Sequence, residues 1–183
     1  MRYFFGFLAA VALIVAVFIL VIRGFGGNRS NLQNDLTDYA ATETVMRMIE
    51  EGPINADEKH RSIKVVVGRS SNTIDLVQGY EGHVLQSKNY NSNEEGYAKF
   101  LRALQLEGYN KGDIDPNKQD SRGVCPLGRV YSFEIVTGSA TVQRFWTTSC
   151  GGGTFKGDLS TVRKLFRAQI PDYSVVIRGT GLN

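Results

Sequence analysis

From Tyr3 to Ile22 the chain is apolar and uncharged; beyond it, apolar positions return at intervals that change from segment to segment. As a helix the first run spans about 30 Å, the thickness of a bilayer core. Arg23, Gly24 and Phe25 follow it, with no small-residue cleavage site, so a retained anchor is expected over residues 1–23, with cleavage as the alternative. No cysteine suited to a lipid anchor lies nearby. A Gly-rich joint is expected over 24–30 and a folded domain over 31–183.

After the joint, "SNLQNDLTDYAATETVMRMIEEGP" predicts a helix. Ser30 or Asn31 caps it, Leu32, Leu36, Tyr39, Met46 and Ile49 form an apolar stripe, and Gly52 and Pro53 stop it. Thr42 and Glu43 break the stripe, which predicts half burial. Ile63, Val65 and Val67 alternate with polar neighbours, residues 70–72 turn, and Ile74 and Leu76 resume the alternation; a third strand is expected in "HVLQSKNY". Ser92 and Glu95 match a capping box opening a helix that carries Tyr97, Phe100, Leu101 and Leu104 on one face and ends at Gly108.

A polar loop, "NKGDIDPNKQDSRG", precedes a hairpin running from Cys125 to Cys150. Its alternation predicts one buried face, with Tyr131, Phe133, Phe145 and Trp146 as candidates for it. Asp158 caps a third helix with Leu159, Val162, Leu165, Phe166 and Ile170 inward and Arg163, Lys164 and Arg167 outward. Pro171 ends it before a last strand, "SVVIR". The fold class expected is α+β: a mainly antiparallel sheet with helices packed on one face, preceded by one transmembrane helix. "FLRALQLEGY" and "LFRAQIPDY" rhyme, each after a hairpin, which fits either a duplicated strand-strand-helix unit or chance.

Cys125 and Cys150 are the only cysteines. A turn centred on Thr137 and Gly138 sets them directly across the hairpin, close enough to bridge. A disulfide is the favoured reading and two buried thiols the alternative; two cysteines do not complete a zinc site, and no base neighbours them for nucleophilic use. A disulfide places the domain outside the cytoplasm, with the amino terminus inside, a choice that Arg2 against Arg23 and Arg29 leaves open.

Formal net charge is +3; without Arg2 and Arg23 the balance is 19 basic against 18 acidic residues, which gives nucleic acid no footing as a partner. Asp113, Asp115 and Asn117 stand at positions 1, 3 and 5 of a calcium-loop pattern, but Lys118 and Val124 replace its glycine and final glutamate, so an exposed acidic turn is preferred. Gly153, Thr154 and Lys156 precede a helix and form a candidate anion site, weakened by Asp158 at the cap. Tyr80, Tyr90, Tyr97 and Tyr109 form a candidate ligand surface, against the commoner reading of aromatics as core. Only two histidines occur, His60 and His83; His83 is expected at the surface. No Ser-His-Asp set, paired-carboxylate pattern, metal site or cofactor fingerprint is present, so no catalytic residue and no cofactor are assigned.

The strings "GYAKFLRALQLEGYNKG", "RGVCPLGRVYSFEI", "FWTTSCGGGTFKG" and "RKLFRAQIPDYS" resemble those of an uncharacterised family of single-anchor envelope proteins in host-attached bacteria of the candidate phyla radiation, of the Saccharibacteria type. The resemblance spans most of the domain, implies an envelope location, and supports pairing of Cys125 with Cys150. A second resemblance is to type IV pilins, with Val11 where a glutamate is expected and Gly24, Gly26 and Gly27 interrupting the long helix. The function expected is a membrane-anchored, extracytoplasmic interaction or scaffolding module with a protein or cell-wall partner and no catalysis. The alternatives are an envelope enzyme using carboxylate acid/base chemistry and a pilin-like subunit.

Overall fold

A computed structural model describes residues 35–182. The expected anchor (1–23), the joint (24–30) and the start of the first expected helix lie outside the described residues. Among the described residues no helix is long and apolar enough to cross a membrane.

The fold is α+β. Six strands, β1 (Thr44–Glu51), β2 (Arg61–Val67), β3 (Ser71–Gln78), β4 (His83–Asn91), β5 (Val130–Thr137) and β6 (Ala140–Thr148), form one sheet in the order β4-β3-β2-β1-β5-β6. Every neighbouring pair is antiparallel. Three helices, α1 (Glu94–Leu106), α2 (Leu159–Ala168) and the short α3 (Tyr173–Val176), contribute Tyr97, Phe100, Leu101, Leu104, Val162, Phe166, Tyr173 and Val176 to the core cluster. From the sheet that cluster takes Met46, Met48, Ile63, Val65, Ile74, Tyr131, Phe133, Ile135 and Phe145, all on one face. Phe100 meets Phe166 edge-on at 5.2 Å between ring centroids, and Tyr109 meets Phe133 at 5.8 Å.

The largest departure from expectation is at residues 44–51. The stretch expected to close the first helix is instead β1, hydrogen-bonded on both sides, preceded by a 3-10 turn over Leu36–Tyr39. Met46, Met48 and Glu50 are buried and their neighbours half-exposed, a period of two. The Thr42–Glu43 break in the helical stripe marks where the period changes, and the pair Thr44, Val45 brings the β-branched residues that favour a strand. The final expected strand is also corrected: residues 173–176 form α3, because Tyr173, Val176 and Ile177 are buried while Ser174 and Val175 are exposed, a helical spacing.

Smaller shifts have local causes. The α1 cap is Asn93, whose side chain accepts from the Gly96 amide at 2.8 Å, and not Ser92, whose amide still extends the strand ladder to Ser70. Glu95 pairs forward with Lys99 at 2.7 Å rather than back toward a cap. Asp158 caps α2 as expected, accepting from the Thr161 amide, which lowers its carboxyl pKa. The β2–β3 turn falls two residues early, closed by Gly68 N–H to Ser71 O at 3.0 Å.

β5 is buried on both faces, not one. Phe133 and Phe145 face the helices, while Trp146, one residue along, points to the opposite face and donates its indole N–H to Lys118 O at 2.8 Å. The polar loop explains this. It leaves α1, bridges the segment after β6 at Gly112–Phe155 and is fastened over the second face by Arg144, which donates to Gln119 O at 2.6 Å.

The charged side of α2 is the other correction. Arg163 and Arg167 turn onto the Glu50 carboxylate, at 3.0 and 3.2 Å, and Arg129 joins them at 3.0 Å. Glu50 is fully buried. Arg163 also lies over the Tyr131 ring (4.4 Å) and Arg167 over Tyr173 (5.0 Å), while Arg129 donates to the carbonyls of Gly181 and Leu182. One carboxylate therefore ties the end of β1 to α2, to the start of β5 and to the carboxyl-terminal segment, whose Leu182 is buried. Lys164 remains exposed, as expected.

The closeness of loop and sheet sets a first prediction. A Cβ on Gly112 would lie 2.3 Å from the Phe145 ring, which is itself in the core. Gly112→Ala should lower unfolding stability by about 2 kcal/mol through overpacking, read as a lower urea midpoint with unchanged slope.

Candidate functional site

The period-two alternation of β1 ends in two adjacent carboxylates, and a strand sends neighbours to opposite faces. Glu50 goes to the helix face and the three arginines; Glu51, paired across the sheet with Ser62 and Val130, goes to the other. There it lines a cleft of about 400 Å³ with Gly52, Ile54, His60, Tyr80, Val124 and Val130 among its other lining residues. That volume lies in the range of small-ligand pockets. The Glu51 carboxylate makes no hydrogen bond or ion pair with the described residues.

One wall is the 52–60 segment, held against the β3–β4 turn. Tyr80 stacks on the buried His60 ring with centroids 4.2 Å apart and planes at 17°. Its hydroxyl donates to Asn55 O at 2.9 Å and accepts from Asn55 N–H at 3.1 Å, while its own amide donates to Asp57 Oδ1 at 2.8 Å. Gly79 makes this approach possible: it sits at φ +73°, and a Cβ there would lie 2.7 Å from the Asp57 carboxylate. His60 Nδ1 lies 3.3 Å from Pro53 O; since a carbonyl only accepts, Nδ1 carries the proton and Nε2 is the nitrogen left for other partners.

The second wall, residues 121–125, contains Cys125, and Cys125 and Cys150 form a disulfide with Cα atoms 5.8 Å apart. They do not face each other across the ladder. The two-residue hairpin turn falls one position later than expected, on Gly138 and Ser139, and a bulge at Ile135–Val136 shifts the register again. The ladder extends to Arg129 and Ser149, joined by Ser149 N–H to Arg129 O at 2.9 Å, and the chain then turns sharply through residues 125–128, closed by Gly128 N–H to Cys125 O at 3.0 Å. The disulfide therefore joins two turns beyond the strands. A Cβ on Gly128 would stand 2.2 Å from Cys125 Sγ, so that glycine is required where it is. Cys125 itself adopts φ +58°, the left-handed region, and is the one non-glycine residue to do so among the described residues. The two walls meet where Ile54 N–H donates to Pro126 O at 2.8 Å.

Two of the lining residues are apolar and exposed, Ile54 at 49% and Tyr80 at 56%, and Leu127, 89% exposed, follows the lining residue Cys125 by two positions in the disulfide-held turn. The cleft's cations are already engaged. Arg144 reaches Glu134 (3.4 Å), Gln119 O, Ser121 and Ser132, and Arg122 forms a paired contact with Asp120 at 2.7 and 2.9 Å that lowers the Asp120 pKa.

The other residues singled out in the sequence are scattered. Tyr97 and Tyr109 are buried; their hydroxyls donate to Thr44 O (2.7 Å) and Glu134 O (2.8 Å), and burial raises both phenol pKa values. Tyr90 lies on β4, where its hydroxyl and Lys88 both meet Asp172; burial first, and then that carboxylate, push its pKa up to about 12. Of the four tyrosines only Tyr80 reaches the cleft, so they do not form one surface. At the anion candidate, the amides of Thr154 and Phe155 donate to Trp146 O, that of Lys156 donates to Lys111 O, and Gly153 bridges Thr147, which spends the donors an anion needs. At the calcium candidate, Lys118 Nζ sits 2.7 Å from Asp113 and 4.0 Å from Asp115, while Asp115 caps a 3-10 turn at Pro116–Lys118 that holds Asn117. Among the described residues no group of three metal-ligating side chains converges. His83 is exposed, as expected.

The sequence reading passed over Glu51, His60 and Ile54. Their signal was present in the strand period ending at Glu50–Glu51 and in the turn residues that follow, but both depended on reading β1 as a strand.

Compared with known proteins, the chain matches no family model, no curated sequence and no solved structure.

Closing a loop of 25 residues by a disulfide contributes about 3.5 kcal/mol in the chain-entropy picture. Reduction, or Cys125→Ser, should lower stability by about 3 kcal/mol and speed amide exchange over residues 121–128 and 54–55 while leaving β1–β3 protected. Hydrogen exchange with and without reductant measures both effects.

Proposed function

We propose that the chain is a non-catalytic recognition module of the cell envelope, tethered by its apolar amino-terminal segment, with the Glu51 cleft as the place where a protein or cell-wall partner docks. The observation that carries this reading is the cleft: two walls cross-linked by a disulfide and by hydrogen bonds, an exposed apolar rim, and one carboxylate without a protein partner. Exposed apolar groups around a concavity are what a docking site requires and a plain surface avoids. The disulfide fits an oxidising compartment, and residues 3–22 have the length and composition of a membrane anchor. The resemblance to single-anchor envelope proteins supports the same location.

A second reading, an envelope enzyme working by acid/base chemistry, is favoured by one observation: Glu51 and His60 line the same cleft. Against it, His60 is already held by its structural contacts, with Nδ1 at 3.3 Å from Pro53 O and its ring stacked on Tyr80.

A photo-crosslinking residue placed at Leu127 or at Tyr80 in the intact cell should capture one and the same partner, and Ile54→Arg should abolish both captures. The same residue at Leu106, exposed on α1, should not capture it. Capture from Leu106 and Leu127 alike, or none from the rim, contradicts the reading.

A further inference from the structure

We infer that the cleft selects a cationic side chain carried on an apolar stem, of which lysine is the simplest case, on a peptide partner; this rests on the cleft being the recognition site.

The inference follows from which charges in the cleft are already matched. Glu51, Arg122, Arg144 and the His60 imidazole line it. Arg144 directs its nitrogens to Glu134, Gln119 O, Ser121 and Ser132, and the Nε and Nη2 groups of Arg122 already lie on the two oxygens of Asp120, so each guanidinium has a protein acceptor. His60 has one nitrogen on Pro53 O and its ring face on Tyr80. Glu51 alone is unmatched, and its neighbour Glu50 shows what this chain does with a carboxylate meant for structure: it surrounds it with three arginines. A carboxylate left without a cation in a half-enclosed cleft gains most from a ligand that brings one.

The rest of the lining states what carries the charge. Ile54, Val124 and Val130 are aliphatic, Gly52 adds no bulk, and the Tyr80 ring stands at the mouth. A stem of methylene groups fits these walls, and an ammonium passing an aromatic face gains a further attraction. A bare metal ion fits less well, since it needs several oxygen ligands and one carboxylate is present.

The test uses the full chain in detergent micelles and follows the methyl resonances of Ile54, Val124 and Val130 as four probes are titrated. These are the N-methylamides of Nα-acetyl-lysine, Nα-acetyl-norleucine and Nα-acetyl-glutamate, and leucine N-methylamide with its α-amine free. The lysine probe should bind about tenfold more tightly than norleucine, which shares its stem, a ratio expected for a hydrogen bond to a charged group. Glu51→Gln should erase that ratio. Tighter binding of leucine N-methylamide than of the lysine probe would keep the amine and assign it to a chain terminus. Equal binding of lysine and norleucine, or preference for glutamate, overturns the inference and leaves the cleft as a recognition site. No shift of the cleft methyls with any probe overturns both. The comparison among probes on the unaltered chain stands even if the variant fails to fold.

Discussion

A fully buried carboxylate shared by three guanidiniums is the constraint around which this domain is arranged. Glu50 is the last but one residue of β1, and Arg129, Arg163 and Arg167 reach it from the entry to β5 and from two successive turns of α2. Removing a charge from water is costly, and it is tolerated only where partners and hydrogen bonds surround it. The cluster therefore fixes the rotation of α2 about its axis and the position at which β1 stops. It also holds the carboxyl-terminal segment, through the carbonyls of Gly181 and Leu182 on Arg129.

The cleft follows from the same element by strand geometry alone. Once Glu50 is committed to the helix face, Glu51 must project from the opposite one, and the chain then turns away at Gly52. What converts an exposed strand end into a cleft is the pair of segments that rise on either side of it. One is stapled by Tyr80 on His60 and Asn55; the other is stapled by the disulfide. The disulfide thus shapes the cleft as well as stabilising the chain, since Cys125 is itself part of the lining. The same glycine-rich, disulfide-held turns that look like simple connectors in sequence build the wall.

The parts of the fold that sequence periodicity revealed are those where one face of an element is buried and the other wet. The α1 face at Tyr97, Phe100, Leu101 and Leu104, the Asp158 cap and the β2–β3 alternation all belong to that group. The parts it concealed are those where both sides carry a role. Residues 44–51 hold charged and sulfur-containing side chains with no helix breaker before Gly52, so local preference leans to a helix, and only pairing with β2 and β5 overrides it. Arg163 and Arg167 were legible as the polar face of α2 but not as ligands of a buried carboxylate, because that acid lies more than a hundred positions earlier in the chain. Tyr97 and Tyr109 were visible as aromatics at helical spacing, and their burial follows the ordinary rule for such residues. The cysteine pair was legible as a disulfide although its place across the strands was not, since a bulge and a tight turn moved the register in between.

The central claim is that two adjacent carboxylates have opposite roles: Glu50 holds the fold and Glu51 is kept for a ligand. The most direct measurement is equilibrium unfolding of the Glu50→Gln and Glu51→Gln chains side by side with the parent. The account predicts a loss of about 3 kcal/mol for Glu50→Gln, which strands three guanidiniums around a neutral amide, and a change within about 0.5 kcal/mol, or a gain, for Glu51→Gln. Equal losses at the two positions, or a larger loss at Glu51, would contradict it.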